Sequence, residues 1–285
     1  MIGGLRLELP FVKMHGCGND YIFFDMRSGG QIPDPSKCCE KLCDRHFGIG
    51  GDGIVLILPS DKADAKMRMF NSDGSEGKMC GNAIRCVGKY LYDVGATDRT
   101  VLLIETESGL RTLDLLFRDC SAVGAVVDMG IASAAPELIC EKYRKDGSGR
   151  VTSLSGKYRI NAVSVGNPHC VVFTDDIDTP KLDKLGRGLE FSSLFTERVN
   201  VELAVFRPDG RLNVRVWERG SGETLACGTG ACAAAFAAYS NGYCAWGEKL
   251  CVQMRGGELE VVCRPDGETK LAGDAVRVFS GVTEV

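Results

Sequence analysis

Apolar positions along the chain gather into short β-branched runs: IVLIL (54–58), VLLIE (101–105), VVDM (126–129), NVELAVF (200–206), LCVQM (250–254) and LEVVC (259–263). Gly, Pro and Asp turns separate them, and runs this short between turn residues predict strands. Two stretches read differently. IRCVGKYLYDVG and ACAAAFAAYSNG carry small and apolar residues in a helical pattern and predict helices that stop at Gly95 and Gly242. Smaller helices are predicted over 36–46, with Ser36 as N-cap and Gly48 just past the end, and over 180–187, with Thr179 as cap and Pro180 in the first turn.

The pattern occurs twice. RMFNSDGSEGKMCG (68–81) aligns with RVWERGSGETLACG (215–228), so Arg68 matches Arg215, Phe70 matches Trp217, Glu76 matches Glu223 and Cys80 matches Cys227, all at an offset of 147. GNDYIFF (18–24) aligns with GNPHCVV (166–172) at an offset of 148. A repeated unit shows what an architecture reuses. The expected fold class is α+β, with two pseudo-symmetric tandem domains, each a mixed, mostly antiparallel sheet or half-barrel wrapped on a central helix. The halves are placed at 1–125, joined by a C-terminal strand over 274–285, and at 126–273.

Composition narrows the chemistry. With 285 residues, 44% of them hydrophobic, the chain can bury two cores, and a net charge of -4 with no basic run gives no footprint for nucleic acid or an anionic membrane. No apolar stretch approaches the roughly 20 residues of a membrane span. A cytosolic protein with a small polar substrate or a protein partner is expected. The fourteen cysteines are read mostly as reduced, buried thiols, because a disulfide framework belongs to short secreted chains. Cys38, Cys39 and Cys43 lack the C-x-x-C spacing of a zinc site, so no metal is expected. Gly48 to Gly53 satisfies G-x-G-x-x-G but precedes a strand instead of opening a helix, which excludes a dinucleotide site.

Cys80 and Cys227 stand apart from the other twelve. Each has Glu four residues before it, Gly directly after it and a helix following. A helix start offers unpaired N–H groups and the positive end of the dipole, which stabilise a thiolate and can hold a carboxylate. Two such thiols on opposite faces of one Cα could remove and return its proton, inverting the centre. Cys86 and Cys232 do not fall at equivalent positions and are expected to be core. Glu76 and Glu223 read as helix-start structure.

MHGCGNDY (14–21), FNSDGSEGKMCGNAIRC (70–86), GNPHCV (166–171) and WERGSGETLACGTGA (217–231) resemble, in order and spacing, the motifs of the diaminopimelate epimerase family. Proline racemases share a two-cysteine arrangement, but their first cysteine precedes Gly-His rather than Gly81-Asn82. The resemblance implies an isomerase free of pyridoxal phosphate and metal that interconverts LL- and meso-diaminopimelate, with Cys80 and Cys227 as the acid and base. It implies the substrate ligands Asn19, Asn71, Gly81, Asn82, Asn167, Asn200, Glu218, Arg219, Gly228 and Thr229, with His169 and Glu218 supporting catalysis, and a homodimer. By pattern alone, Asn71 and Asn167 serve equally well as turn residues. Some family members carry Gln where this chain has Gly53, so any contact from that side chain is missing here.

Overall fold

The computed structural model describes residues 8–143, 150–151, 159–178 and 181–285, and within them every run predicted as a strand is one. Backbone packing separates two units, Met1–Val127 with Gly273–Val285, and Asp128–Ala272.

The first unit runs β1 (Glu8–Gly16), β2 (Asn19–Asp25), α1 (Pro35–Cys43), β3 (Gly53–Leu58), β4 (Ala65–Asn71), β5 (Glu76–Gly77), α2 (Gly81–Asp93), β6 (Val101–Thr106), β7 (Gly109–Arg118) and β8 (Ser121–Ile131), whose residues from Asp128 on fall in the second. The second runs β9 (Ser133–Ala134), β10 (Arg150–Val151), β11 (Arg159–Ser164), β12 (Pro168–Phe173), α3 (Leu182–Glu190), β13 (Asn200–Phe206), β14 (Leu212–Glu218), β15 (Gly222–Thr224), α4 (Gly228–Ser240), β16 (Leu250–Met254), β17 (Gly257–Cys263) and β18 (Glu268–Asp274), whose last two residues fall in the first. The last strand, β19 (Val276–Glu284), pairs antiparallel with β1 from Glu8↔Glu284 to His15↔Val276.

Strand pairing follows one plan in both units. In the first, β1–β2 and β3–β4 are antiparallel, β2–β3 and β4–β6 parallel, and β6–β7–β8 antiparallel. In the second, β11–β12 and β13–β14 are antiparallel, β12–β13 and β14–β16 parallel, and β16–β17–β18 antiparallel. Parallel neighbours need a crossover, which a helix usually supplies. α1 and α3 serve the first parallel pair of each unit, α2 and α4 the second.

Those second crossovers form the cores. Eleven of the thirteen residues of α4 are buried, which its run of alanines permits because small side chains let strands approach on all sides. α2 buries Gly81 to Gly88 and Leu91. At Gly88 a Cβ would lie 2.9 Å from Leu113 Cδ2 and 3.1 Å from Leu115 Cδ2, so those leucines would have to shift to admit a side chain. Cys86 and Cys232 are packed in these helices as expected. On the other face of the strands, Phe11, Ile22, Phe24, Ile54 and Phe70 pack with Cys39, Leu42 and Cys43 of α1, and Ile160, Val172, Val201 and Leu203 with Leu182 and Leu189 of α3.

The two smaller helices differ from expectation in their bounds, 35–43 and 182–190 against 36–46 and 180–187. α1 starts one residue earlier, capped by Asp34, whose carboxylate accepts the Lys37 N–H at 3.2 Å with Pro35 in the first turn, while Ser36 instead donates to the Gly74 carbonyl. It ends at Cys43 because Asp44 is extended and turns its carboxylate to the N–H groups of His46 and Phe47. α3 starts at Leu182; Thr179 and Pro180 lie outside the described residues.

Both central helices end identically. Gly95 and Gly242 adopt φ of 69° and 74°, and the residue after each, Ala96 and Tyr243, returns its N–H to Leu91 and Ala238. This is a Schellman cap, favourable to glycine because φ is positive. Gly242→Ala should therefore cost about 1 kcal/mol of stability and Gly242→Asn less. Urea unfolding midpoints measure the difference, and equal midpoints for all three proteins would contradict the cap.

Candidate active site

Cys80 and Cys227 are themselves the N-caps of α2 and α4, with backbone angles of -133°/119° and -128°/119°. Each sulfur accepts the N–H of the third helical residue, Ala83 at 3.5 Å and Gly230 at 3.4 Å. Ser, Thr, Asp or Asn usually hold this place, because their oxygens satisfy an orphan donor. Sulfur there sets a thiol at the positive end of a helix dipole.

The chain leading to each cysteine is fixed in the same way. Arg68 Nε and Nη2 donate to Glu76 at 2.7 and 2.9 Å across β4 and β5, and Arg215 Nε and Nη2 donate to Glu223 at 2.9 and 3.0 Å across β14 and β15. These bidentate forks explain why Arg and Glu recur with the cysteine. The two glutamates are structural, as expected, though in the ribbon rather than the helix.

In the first unit, Asn19 Oδ1 accepts from Cys80 Sγ at 3.4 Å and from Asn82 Nδ2 at 3.3 Å, while Asn19 Nδ2 donates to Asp52 Oδ2 at 2.8 Å. Asn82 is held in turn by Arg85, fully buried, whose Nη2 donates to its Oδ1 at 3.0 Å and whose Nε donates to the Asp274 carbonyl. Asp52 also takes Arg45 Nη2 at 2.8 Å. Arg45 bridges to Asp20, which pairs with buried Lys13 at 2.6 Å. The two cations and two carboxylates balance. Burial alone would raise the Asp20 carboxyl, but hydrogen bonds from Arg45 and Lys13 outweigh it and hold it below its ordinary range. Asn71 closes the β4–β5 turn, its N–H donating to the Ser75 carbonyl and its carbonyl accepting from Gly74, with its amide 3.0 Å from Ser75 Oγ.

In the second unit, Asn167 Nδ2 donates to Thr229 Oγ1 at 3.3 Å, and Thr229 Oγ1 lies 3.4 Å from Cys227 Sγ. Asn167 Oδ1 meets His169 Nε2 at 3.0 Å, and His169 Nδ1 meets Glu202 Oε1 at 2.7 Å. Glu218 accepts from Thr224 Oγ1 at 2.5 Å. Burial pushes the Cys227 thiol well above its ordinary range, the Glu218 charge adds to the rise, and Thr229 and the Gly230 N–H oppose it. Glu218 is itself raised by burial, against hydrogen bonds from Thr224 and Cys227. Asn200 Oδ1 accepts the Arg219 N–H at 2.9 Å and its Nδ2 donates to the Pro168 carbonyl. The Arg219 guanidinium is 41% exposed and pairs with Glu197 at 3.3 Å. An exposed pair of this kind contributes little to stability.

Asn19, Gly81 and Asn82 thus gather at the start of α2, and Asn167, Glu218, Gly228, Thr229 and His169 at the start of α4. Asn71, Asn200 and Arg219 are held in the turns and strand ends beside them. The charged and polar support was missed: Asp52, Arg85 and Glu202 are absent from the expected set. Glu202 carried a signal, as the single charge inside NVELAVF, and so did Arg85, as the one charge in the buried stretch Gly81 to Gly88 of α2. Among the described residues no three His, Cys, Asp or Glu side chains converge as a metal site.

A family profile described as diaminopimelate epimerase matches residues 11–135 and 161–278. Diaminopimelate epimerases of Desulfovibrio desulfuricans and Acetivibrio thermocellus are 45% and 44% identical, each aligned over 97% of this chain and 99% of the relative. Among solved structures, a hydroxyproline epimerase from Agrobacterium vitis shares the fold with a TM-score of 0.70 at 17% identity, over 98% of this chain and 93% of that one.

Two outcomes follow from these surroundings. Asp20→Asn should lower stability by about 2 kcal/mol at pH 7, since it leaves Lys13 unpaired. A depressed carboxyl stabilises above its unfolded value and loses that contribution as pH falls, so the gap to wild type should close below about pH 4; a gap that does not change with pH would contradict it. Glu218→Gln should speed alkylation of Cys227 at fixed pH, because the charge that raises the thiol is gone. Peptide mass spectrometry reads the rate, and an unchanged or slower rate would count against the Glu218–Cys227 coupling.

Proposed function

The chain belongs to the diaminopimelate epimerase family, and on that premise we propose that Cys80 and Cys227 invert one Cα of diaminopimelate by removing its proton from one face and returning a proton to the other. The reaction interconverts the LL and meso forms, a step toward lysine. The observation that carries this reading is the matched pair of N-cap thiols, each the duplicate of the other in sequence, backbone angles and capping bond.

The chemistry must overcome a weak carbon acid. Each unit of pKa mismatch between base and Cα–H costs about 1.4 kcal/mol. Burial that raises the Cys227 thiol makes its conjugate thiolate a stronger base, which narrows the gap. As the proton leaves, charge moves onto the substrate carboxylate. Backbone N–H groups of a helix's first turn suit it, and each well-aimed donor contributes about 3 to 4 kcal/mol. Holding Cα between base and acid contributes about 7 to 11 kcal/mol more. The base leaves as a thiol and the acid as a thiolate, so the two exchange roles between directions.

The remaining ligands divide by charge. Glu218, beside Cys227, is suited to the reacting ammonium; Arg219 offers a planar fork to the distal carboxylate; and Asn71 and Asn200 can donate and accept at the distal amino acid group. No pyridoxal phosphate or metal enters. The reading extends to a cytosolic enzyme whose cysteines stay mostly reduced and, as the family resemblance implies, to a homodimer.

Cys80→Ala and Cys227→Ala should each lower epimerisation by about 10²-fold or more, the scale of a lost proton-transfer group. The assay offers LL-diaminopimelate beside a panel of single L-amino acids in deuterated water. Wild-type rates in either variant would remove the thiols from the mechanism. Turnover of proline but not diaminopimelate would overturn the substrate.

A further inference from the structure

Glu202 is a fully buried carboxylate in the middle of β13, and only one of its oxygens has a partner. The repeat shows that the fold does not need it. At the same offset of 147 the first unit has Val55, itself fully buried in β3, and where the second unit has His169 paired across to Asn200, the first has Tyr21 paired across to Gly53. The strand accepts an apolar residue at this place. The second unit instead buries an acid and an imidazole there, an arrangement that is costly unless it is used.

The contacts show a use. His169 is fully buried and bonded at both nitrogens, Nδ1 to Glu202 Oε1 at 2.7 Å and Nε2 to Asn167 Oδ1 at 3.0 Å. An amide oxygen only accepts, so Nε2 must carry a proton. A second proton then lies between Nδ1 and Glu202, and whichever of the two holds it, the pair is neutral overall. Glu202 therefore lets a buried histidine keep Nε2–H without adding net charge. That proton fixes Asn167 with its oxygen toward His169 and its Nδ2 toward Thr229 Oγ1, which adjoins Cys227. Glu202 also stands under the helix start: a Cβ on Gly230 would lie 2.8 Å from its Oε1.

We propose that Glu202 is a positioning residue: through His169 it fixes which end of the Asn167 amide faces Thr229 and the Cys227 end of α4. The groups facing it are His169 from β12, Glu218 from β14, and Cys227 from α4, with Cys170 on β12 beside it. Without it, His169 has one proton and Asn167 as its remaining partner, and that amide can meet either tautomer. Placing that proton on Nδ1 sets a bare Nε2 against the Asn167 oxygen and turns the amide over, so that an acceptor faces Thr229.

The proposal rests on the epimerase reading for its catalytic readout but not for its spectroscopic one. Two variants test it. Glu202→Gln retains a donor to Nδ1 and so retains Nε2–H. Glu202→Val installs the residue that the first unit already tolerates. In ¹⁵N-labelled protein without substrate, His169 should show a protonated Nε2 in wild type and in E202Q, and exchanging tautomers in E202V. In Cα–H exchange, E202V should lose about 10- to 100-fold in kcat/KM, the scale of a misplaced site group, with E202Q recovering most of it. An E202V protein with wild-type tautomer and kinetics would overturn the proposal. So would equal losses in E202Q and E202V, which would mark Glu202 as a packing residue. If wild type fails to exchange diaminopimelate at all, the function is wrong, and the histidine spectrum still decides the role of Glu202.

Discussion

The first turn of an α-helix has N–H groups that nothing in the helix can satisfy. Here, at the start of each central helix, one of them is satisfied by sulfur, and the rest of each unit follows from that constraint. The crossover that turns a parallel strand pair into a βαβ unit brings the helix start to the strand ends, where Asn19 and Asn167 lie. A polar residue capping the helix could have been any hydroxyl or carboxylate. A thiol is a poorer cap, with donor distances of 3.4–3.5 Å, but its thiolate is a stronger base than a carboxylate and it yields its proton more readily than a hydroxyl.

The two copies share a frame and differ in what is buried behind the cysteine. The first unit places an arginine, Arg85, at the core of α2, where the second has Cys232 in α4, and that arginine holds Asn82. The second places Glu202 and His169 where the first has Val55 and Tyr21. One asparagine is oriented by a carboxylate directly, Asp52 on Asn19 Nδ2, and its equivalent by a carboxylate acting through an imidazole. The amides end with opposite polarity: Asn19 presents its oxygen to Cys80, while Asn167 presents its nitrogen to Thr229.

Much of this was legible in the residues. Strands such as NVELAVF and LCVQM declared themselves because β-branched runs between turn residues have few other solutions, and α4 did so through its alanines. Cys80 and Cys227 were separable from twelve other cysteines because the repeat carries them with Arg, Glu and Gly. The α1 cap was misplaced because Asp34 and Ser36 both suit an N-cap, and only the fold shows Ser36 engaged with Gly74. Buried support was the least legible. Asp52 sits in a glycine-rich loop where aspartate ordinarily makes turns, and its hold on Asn19 spans 33 residues, a distance that no local pattern encodes. Asn71 is both turn and candidate ligand, so pattern alone could not choose.

Two thiols acting from opposite faces leave an isotopic record that a single base does not. In deuterated water, early in the conversion of LL-diaminopimelate, the account predicts meso product carrying solvent deuterium at the inverted carbon, while the remaining LL substrate keeps its protium. Early meso product that retains protium at that carbon would contradict it, since one group would then have carried the same hydrogen from one face to the other.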